Sequence, residues 1–168
     1  DGIIERKFKP PISVNIDPCG VCNFKCIWCN SSRVTKHGLL FPYQKLKTLI
    51  KDLADWGVKA ICIGGGGEST LYPELSKMLY HCNKNKLEVA VITNGFNIND
   101  NLCESIVRSV RWIGISVDAS NSETFKIIKG IDGFDGVIGN IKKLVEKRNK
   151  SNSNLKITFK FLIHPLNQ

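Results

Sequence analysis

The order in which short β-branched runs and longer helical-period stretches follow one another constrains this 168-residue chain most. Ile12, Val14 and Ile16 alternate with polar residues and predict a first strand that runs into Asp17-Pro18. Pro42 opens a helix with Leu46, Leu49, Ile50 and Leu53 along one side, and Gly57 stops it. Ala60 to Ile63 is a short apolar run of the kind a buried parallel strand needs. Pro73 starts a second helix, with Leu75, Met78, Leu79 and Cys82 at helical spacing. Val89 to Ile92 predicts the third strand, and Leu102, Ile106, Val107 and Val110 mark the third helix. Trp112 to Val117 predicts the fourth strand, and Ser120 with Glu123 stands in capping-box register before a short helix carrying Phe125 and Ile128. Phe134, Val137, Ile138, Ile141, Leu144 and Val145 make an amphipathic helix, after which a polar turn over 149–154 leads to a fifth strand over 157–163. Strand then helix, repeated with connections this long, predicts an α/β fold: a parallel sheet of about five strand-helix units.

Ligand sites in such sheets gather at the carboxyl ends of the strands. The unusual residues of this chain fall there. The first strand ends in Cys19-Gly-Val-Cys22-Asn-Phe-Lys-Cys26-Ile-Trp28-Cys29, followed by a polar segment with Ser31, Ser32, Arg33, Lys36 and His37. The second ends in Gly64-Gly65-Gly66-Gly67-Glu68-Ser69-Thr70, the third in Thr93-Asn94-Gly95, and the fourth at Ser116 and Asp118. Consecutive strand ends lie side by side, so these clusters should converge on one rim and form a single cofactor site.

Four of the seven cysteines fall in the first cluster, too dense for independent core thiols. Three ligand schemes suit them. A structural zinc site would use Cys19/Cys22 and Cys26/Cys29, although the short gap between these pairs leaves little chain to wrap an ion. An electron-transfer iron-sulfur cluster would use all four. The third scheme places Cys22, Cys26 and Cys29 on three irons of a 4Fe-4S cluster and leaves the fourth iron open for a substrate or cofactor.

Cys22-x3-Cys26-x-Trp28-Cys29 resembles the C-x3-C-x-aromatic-C signature of the radical S-adenosylmethionine (SAM) superfamily. The resemblance implies a partial (β/α) barrel and a 4Fe-4S cluster on Cys22, Cys26 and Cys29, which are then metal ligands and catalytic residues together. It implies that the open iron chelates the amino and carboxylate groups of S-adenosyl-L-methionine. An electron, delivered by a reductant such as a flavodoxin or ferredoxin, then cleaves the sulfonium to methionine and a 5'-deoxyadenosyl radical, which abstracts hydrogen from an organic substrate.

Other stretches are similar to family motifs. Trp28 corresponds to a residue that lies against the adenine of SAM. Gly65-Gly66-Gly67-Glu68 resembles the GGEP motif that receives the methionine amino group, with Ser69 where the proline would stand. Thr93-Asn94 and Ser116-Val-Asp118 resemble the T-N-G and S-x-D stretches whose side chains face the ribose and methionine parts of SAM; a capping or turn role suits Asp118 as well. Lys129-Gly130 resembles a basic-Gly pair that follows the fourth strand, and His164 faces either the site or the sheet edge. Cys62, Cys82 and Cys103 sit on apolar faces and are expected in the core, while Cys19 is a loop thiol or a substrate-side residue.

Ile115-Ser-Val-Asp-Ala119 and the helix from Phe134 are most similar to members that modify peptides, proteins or cofactor precursors, so a small-molecule or peptide substrate is expected. The family core has six strand-helix units. Residues 1–168 are therefore expected to be one radical SAM core domain truncated before the sixth strand, with a partner chain or dimer covering the open sheet edge.

Composition closes off other classes. Hydrophobic residues at 42% and charged residues at 23% are ordinary for a globular protein, and no apolar run approaches a membrane span. Clustered cysteines without a signal-peptide pattern point to a reducing compartment, the cytoplasm. The lysines behind the net charge of +9 are spread through helices, the densest group being Lys142, Lys143, Lys147, Arg148 and Lys150 on the polar side of a helix and its end, without interleaved aromatics, which speaks against a nucleic-acid surface. The competing function is a noncatalytic zinc or iron-sulfur module whose basic face meets RNA or a partner.

Overall fold

The computed structural model describes residues 8–33 and 38–168, with side chains at all of these but Ser32 and Arg33; Lys36 and His37 lie outside the described residues. Strands β1 (Ser13–Ile16), β2 (Ala60–Ile63), β3 (Glu88–Thr93), β4 (Trp112–Ser116) and β5 (Lys156–Lys160) form one sheet in the order β1-β2-β3-β4-β5, every neighbouring pair parallel. Between them run α1 (Tyr43–Trp56), α2 (Leu75–Lys84), α3 (Asp100–Ser109), α4 (Ser122–Lys129) and α5 (Phe134–Lys150). Each crossover advances the sheet by one neighbour in the same direction, so the strands curl into part of a barrel. β1 and β5 are its two edges, and among the described residues they do not pair.

Side-chain alternation decides which face is which. Ile16, Ile61, Ile63, Val89, Val91, Ile113 and Ile115 are buried and share a core with Leu46 and Ile50 of α1, Leu75, Met78 and Leu79 of α2, Ile106 of α3 and Leu144 of α5. Each such side chain contributes about 1.5–3 kcal/mol by leaving water. The intervening residues Cys62, Ala90, Ile92 and Trp112 are half-buried and line the concave face. Cys82 and Cys103 are buried in the core as expected, whereas Cys62 belongs to this concave face.

Three local expectations change. The N-cap of α4 is Asn121, not Ser120: its Oδ1 accepts from the Thr124 N–H at 2.9 Å, a register that buries Phe125 and Ile128. In the first strand the paired register begins at Ser13; the Ile12 side chain is 80% exposed, and its carbonyl accepts from the Lys59 and Ala60 N–H groups at 2.9 and 3.2 Å. β5 stops at Lys160, short of Ile163. The Leu162 N–H instead donates to Asp118 Oδ1 at 2.6 Å and its carbonyl accepts from Asn167 Nδ2 at 2.8 Å, pulling the chain off the sheet. The basic residues of α5 behave as a solvated face, with Lys143 paired to Asp100 at 2.9 Å and Lys147 to Glu104 at 2.7 Å on α3. No helix among the described residues is long and apolar enough to cross a membrane.

Candidate active site

The cysteine loop leaves β1 and is tied to every other strand end in turn. Glu68, after β2, donates its backbone N–H to the Val21 carbonyl at 2.7 Å. Asn94, after β3, donates from Nδ2 to Asn23 Oδ1 at 2.7 Å. Beyond β4, the carbonyls of Ile128 and Lys129 accept from the N–H groups of Ile27 and Lys25 at 3.0 and 2.9 Å. Past β5, the His164 ring lies against Trp28, centroids 5.3 Å apart. Phe24 is buried between Phe96 and Phe125, edge to face with both, and forms the apolar underside of the loop. The expected convergence of strand ends is therefore present.

Two features let the glycine run and the loop approach so closely. The Gly66 N–H donates to the Asp17 carboxylate, holding the run over the end of β1. At Gly67 a Cβ would stand 2.0 Å from the Cys19 carbonyl oxygen and 2.6 Å from that of Val21, so only glycine fits.

Cys22, Cys26 and Cys29 are half-buried on this loop, whereas Cys19 is fully buried and its thiol donates to the Val21 carbonyl at 3.6 Å. Cys19 is thus a core thiol of the loop's base. Burial pushes the Cys22 thiol up, the Phe24 N–H approaching its sulfur at 3.5 Å works the other way, and Glu68 and Cys29 add to the rise. Burial also pushes Cys26 up; the Lys129 cation opposes this, while Cys22, Cys29 and Asp118 reinforce it. Charges on these thiols feel one another, and Lys129 is the cation nearest to them in effect. No three His, Cys, Asp or Glu side chains among the described residues gather around one point as for a single metal ion. A cubane spreads its thiolates over separate irons, and three soft, half-buried thiols on one loop fit that group.

Glu68 is 3% exposed, and its carboxylate joins the ends of β2 and β3. Oε1 accepts from the Thr70 N–H at 2.9 Å, the Thr70 hydroxyl at 2.7 Å and the Thr93 hydroxyl; Oε2 accepts from the Asn94 N–H at 2.7 Å. A carboxylate has about four acceptor positions, so Oε2 keeps one. Thr93 and Asn94 are buried with it, and Asn94 Oδ1 accepts from the Phe96 N–H at 3.0 Å. Gly65 lies in the same run, beside Asp17, and Ser116 is half-buried at the tip of β4.

Asp118 and Lys129 form a buried ion pair, with side chains 5% and 2% exposed. The second Asp118 oxygen holds the Leu162 N–H, so both oxygens are engaged within the protein. The turn role suggested for Asp118 is the one its contacts display, at a φ of 57°. Sequence reasoning missed Asn23 and the weight carried by Lys129. Asn23 sits between ligand-type cysteines and shows no pattern of its own; a lysine on the apolar side of α4, beside Phe125 and Ile128, was the signal for a buried cation.

A cavity of about 750 Å³ opens at the opposite end of the strands, lined by Lys86, Glu104, Arg108, Arg111, Lys147 and Leu155 among others. It lies where α2, α3 and α5 end, and cations are favoured at helix carboxyl ends, so its charge needs no ligand to explain it.

Known proteins are similar to this chain in sequence and in fold. A probable GTP 3',8-cyclase of Saccharolobus islandicus is 28% identical over 145 residues, 86% of this chain and 47% of its own length. An S-adenosylmethionine-dependent nucleotide dehydratase of a Thermoplasmatales archaeon is 33% identical over 129 residues, 76% of this chain and 45% of its own. The chain thus spans about half the length of the curated relatives it matches. Among solved structures, Streptococcus suis SuiB bound to its precursor peptide SuiA superposes with a TM-score of 0.75 at 20% identity, covering 93% of this chain and 34% of that one. Native anSMEcpe with bound AdoMet gives 0.67 at 22%, covering 88% and 43%. These two likenesses establish the fold. The family model described as the radical SAM superfamily matches residues 16–159, from the last residue of β1 almost to the end of β5, and so takes in the cysteine loop and every strand end tied to it: the chain belongs to the radical SAM superfamily.

Proposed function

We propose that Cys22, Cys26 and Cys29 hold a 4Fe-4S cluster and that the protein carrying this chain is a radical SAM enzyme acting on an organic substrate, a nucleotide. When bound, the cluster supplies the electron that cleaves SAM reductively to methionine and a 5'-deoxyadenosyl radical. The observation that carries this reading is the contrast among the loop cysteines: three are half-buried on the rim, and the fourth, Cys19, is sealed beneath it. Withdrawing Cys19 disfavours both four-thiolate schemes, zinc and electron-transfer cluster alike. The protein's own groups then have defined tasks. Trp28 and His164 shield one side of the rim, Phe24 excludes water from below, and the spare Oε2 position of Glu68 suits an ammonium group. Ser116 offers a hydroxyl at the next strand end.

A nucleotide is favoured because the relatives at 28% and 33% identity are named for GTP and for nucleotide chemistry. The peptide substrate suggested by the Ile115–Ala119 stretch has support only from structures near 20% identity.

Anaerobic reconstitution tests the reading. Iron and sulfide near four each per chain, together with 5'-deoxyadenosine from SAM and dithionite, are expected, and each of C22A, C26A and C29A should abolish both, while C19A should keep the iron. A zinc-only protein that forms no 5'-deoxyadenosine would establish the metal-module alternative instead.

A further inference from the structure

The concave face of the sheet carries one feature that the cysteine loop does not account for. Gly114 in β4 has no side chain, and two neighbours lie over the space: a Cβ there would be 2.5 Å from Trp112 Cη2 and 3.1 Å from Lys160 Cδ. Lys160 is paired in register with Ser116 at the tip of β4, yet its stem leans back over Gly114 instead of outward from the edge. Lys160 is exposed, and its charge opposes the rise that burial causes in the Cys62 thiol of β2. Edge strands commonly carry lysine to block pairing, and here the stem also lies over Gly114 of the neighbouring strand, beside the Trp112 ring. Among the described residues Lys160 has no carboxylate partner. The other charged side chains on this face are Glu88, which starts β3 at the far end from the rim, and Lys156, which is paired in register with Trp112.

A cation beside an aromatic ring on an otherwise apolar floor of Cys62, Ala90 and Ile92 suits a ligand that is anionic at one end and planar at the other. We propose that Lys160 is a specificity-determining residue of the active site, pairing with a phosphate of the nucleotide substrate while Trp112 bounds the space for its base. This rests on the nucleotide reading above and deepens it. Gly114 is what makes both side chains available, because any larger residue would separate them.

The test is equilibrium binding to the anaerobically reconstituted full chain in SAM and 0.15 M salt, with ATP, GTP, CTP and UTP as probes against their nucleosides. At least one triphosphate should bind about tenfold or more tightly than its nucleoside, with affinity falling as salt rises. K160Q should weaken that triphosphate about 10- to 100-fold, K160R should retain it within about threefold, and SAM affinity should stay within about twofold in both. No triphosphate advantage over nucleosides in the wild type overturns the proposal without recourse to any variant. Equal triphosphate binding by K160Q and wild type overturns it too, as does Lys160-dependent capture of an acidic peptide by a protein that ignores triphosphates. The two readings fail separately. Lys160-dependent triphosphate binding without 5'-deoxyadenosine formation refutes only the radical reaction, 5'-deoxyadenosine formation without triphosphate binding refutes the nucleotide substrate together with the role of Lys160, and triphosphate binding that K160Q leaves unchanged refutes the role of Lys160 alone.

Discussion

Replacing Glu68 by glutamine exchanges one carboxylate oxygen for an NH2 group at nearly constant volume, at a point where every partner is a donor. With its oxygen kept toward Thr70 and Thr93, the glutamine turns its NH2 group on the Asn94 N–H, now 2.7 Å from an acceptor. The flipped amide opposes the Thr70 N–H instead, so the first pose is the better one. It leaves two buried donors face to face, and a buried donor without a partner costs about 1–3 kcal/mol. E68Q should therefore lose about 2–4 kcal/mol. T93V removes one donor to the carboxylate and also the acceptor of the Gly95 N–H at 3.0 Å, and should lose about 1–3 kcal/mol while the other three contacts of the carboxylate stay in place. Urea unfolding under anaerobic conditions measures both, with the slope checking that the unfolded state is unchanged. Because the Asn94 side chain also holds Asn23, E68Q should shed iron faster than T93V on dilution into chelator. An E68Q protein within about 0.5 kcal/mol of wild type, a loss typical of surface changes, would refute the claim that this carboxylate joins two strand ends.

Two further outcomes follow from buried groups. K129M leaves the Asp118 carboxylate without its cation in a site 5% exposed and should cost about 3–5 kcal/mol, whereas D118N/K129M should recover most of it; a double-mutant cycle by denaturation decides, and additive losses would contradict a coupled pair. Burial pushes the Cys82 thiol up to about 12. Unfolded thiols ionise near pH 8.5, so the unfolded state sheds a proton first and stability is lost as pH rises between those values, at about 1.4 kcal/mol per unit. The stability of wild type over C82A should hence shrink by about 2 kcal/mol from pH 7 to pH 10 and stay constant from pH 6 to pH 8.

Much of this protein is legible in one dimension because its signals are local. Apolar spacing such as Leu46-Leu49-Ile50-Leu53 specifies a helix through contacts three and four residues apart, and each such helix came out within a turn of its expected place. The convergence of strand ends was also readable, since parallel neighbours with helical crossovers must end on one rim. The cysteine spacing and glycine run pointed to the right family for the same reason: their chemistry needs residues close in sequence.

What stayed hidden depends on contacts between distant residues. Whether Cys19 joins its neighbours or sinks beneath them is decided by how the glycine run packs on the loop, through the Val21 carbonyl and Gly67. The partner of Asp118 is Lys129 on α4 and Leu162 beyond β5, and that second contact is also what ends the strand early. Lys160 looks from its own neighbours like any edge lysine, and only the missing side chain at Gly114, one strand away, lets it turn inward. Periodicity determines which face a residue occupies, but buried polar groups take whichever partners the packed strands bring within about 3 Å, and that choice exists only once the sheet has formed.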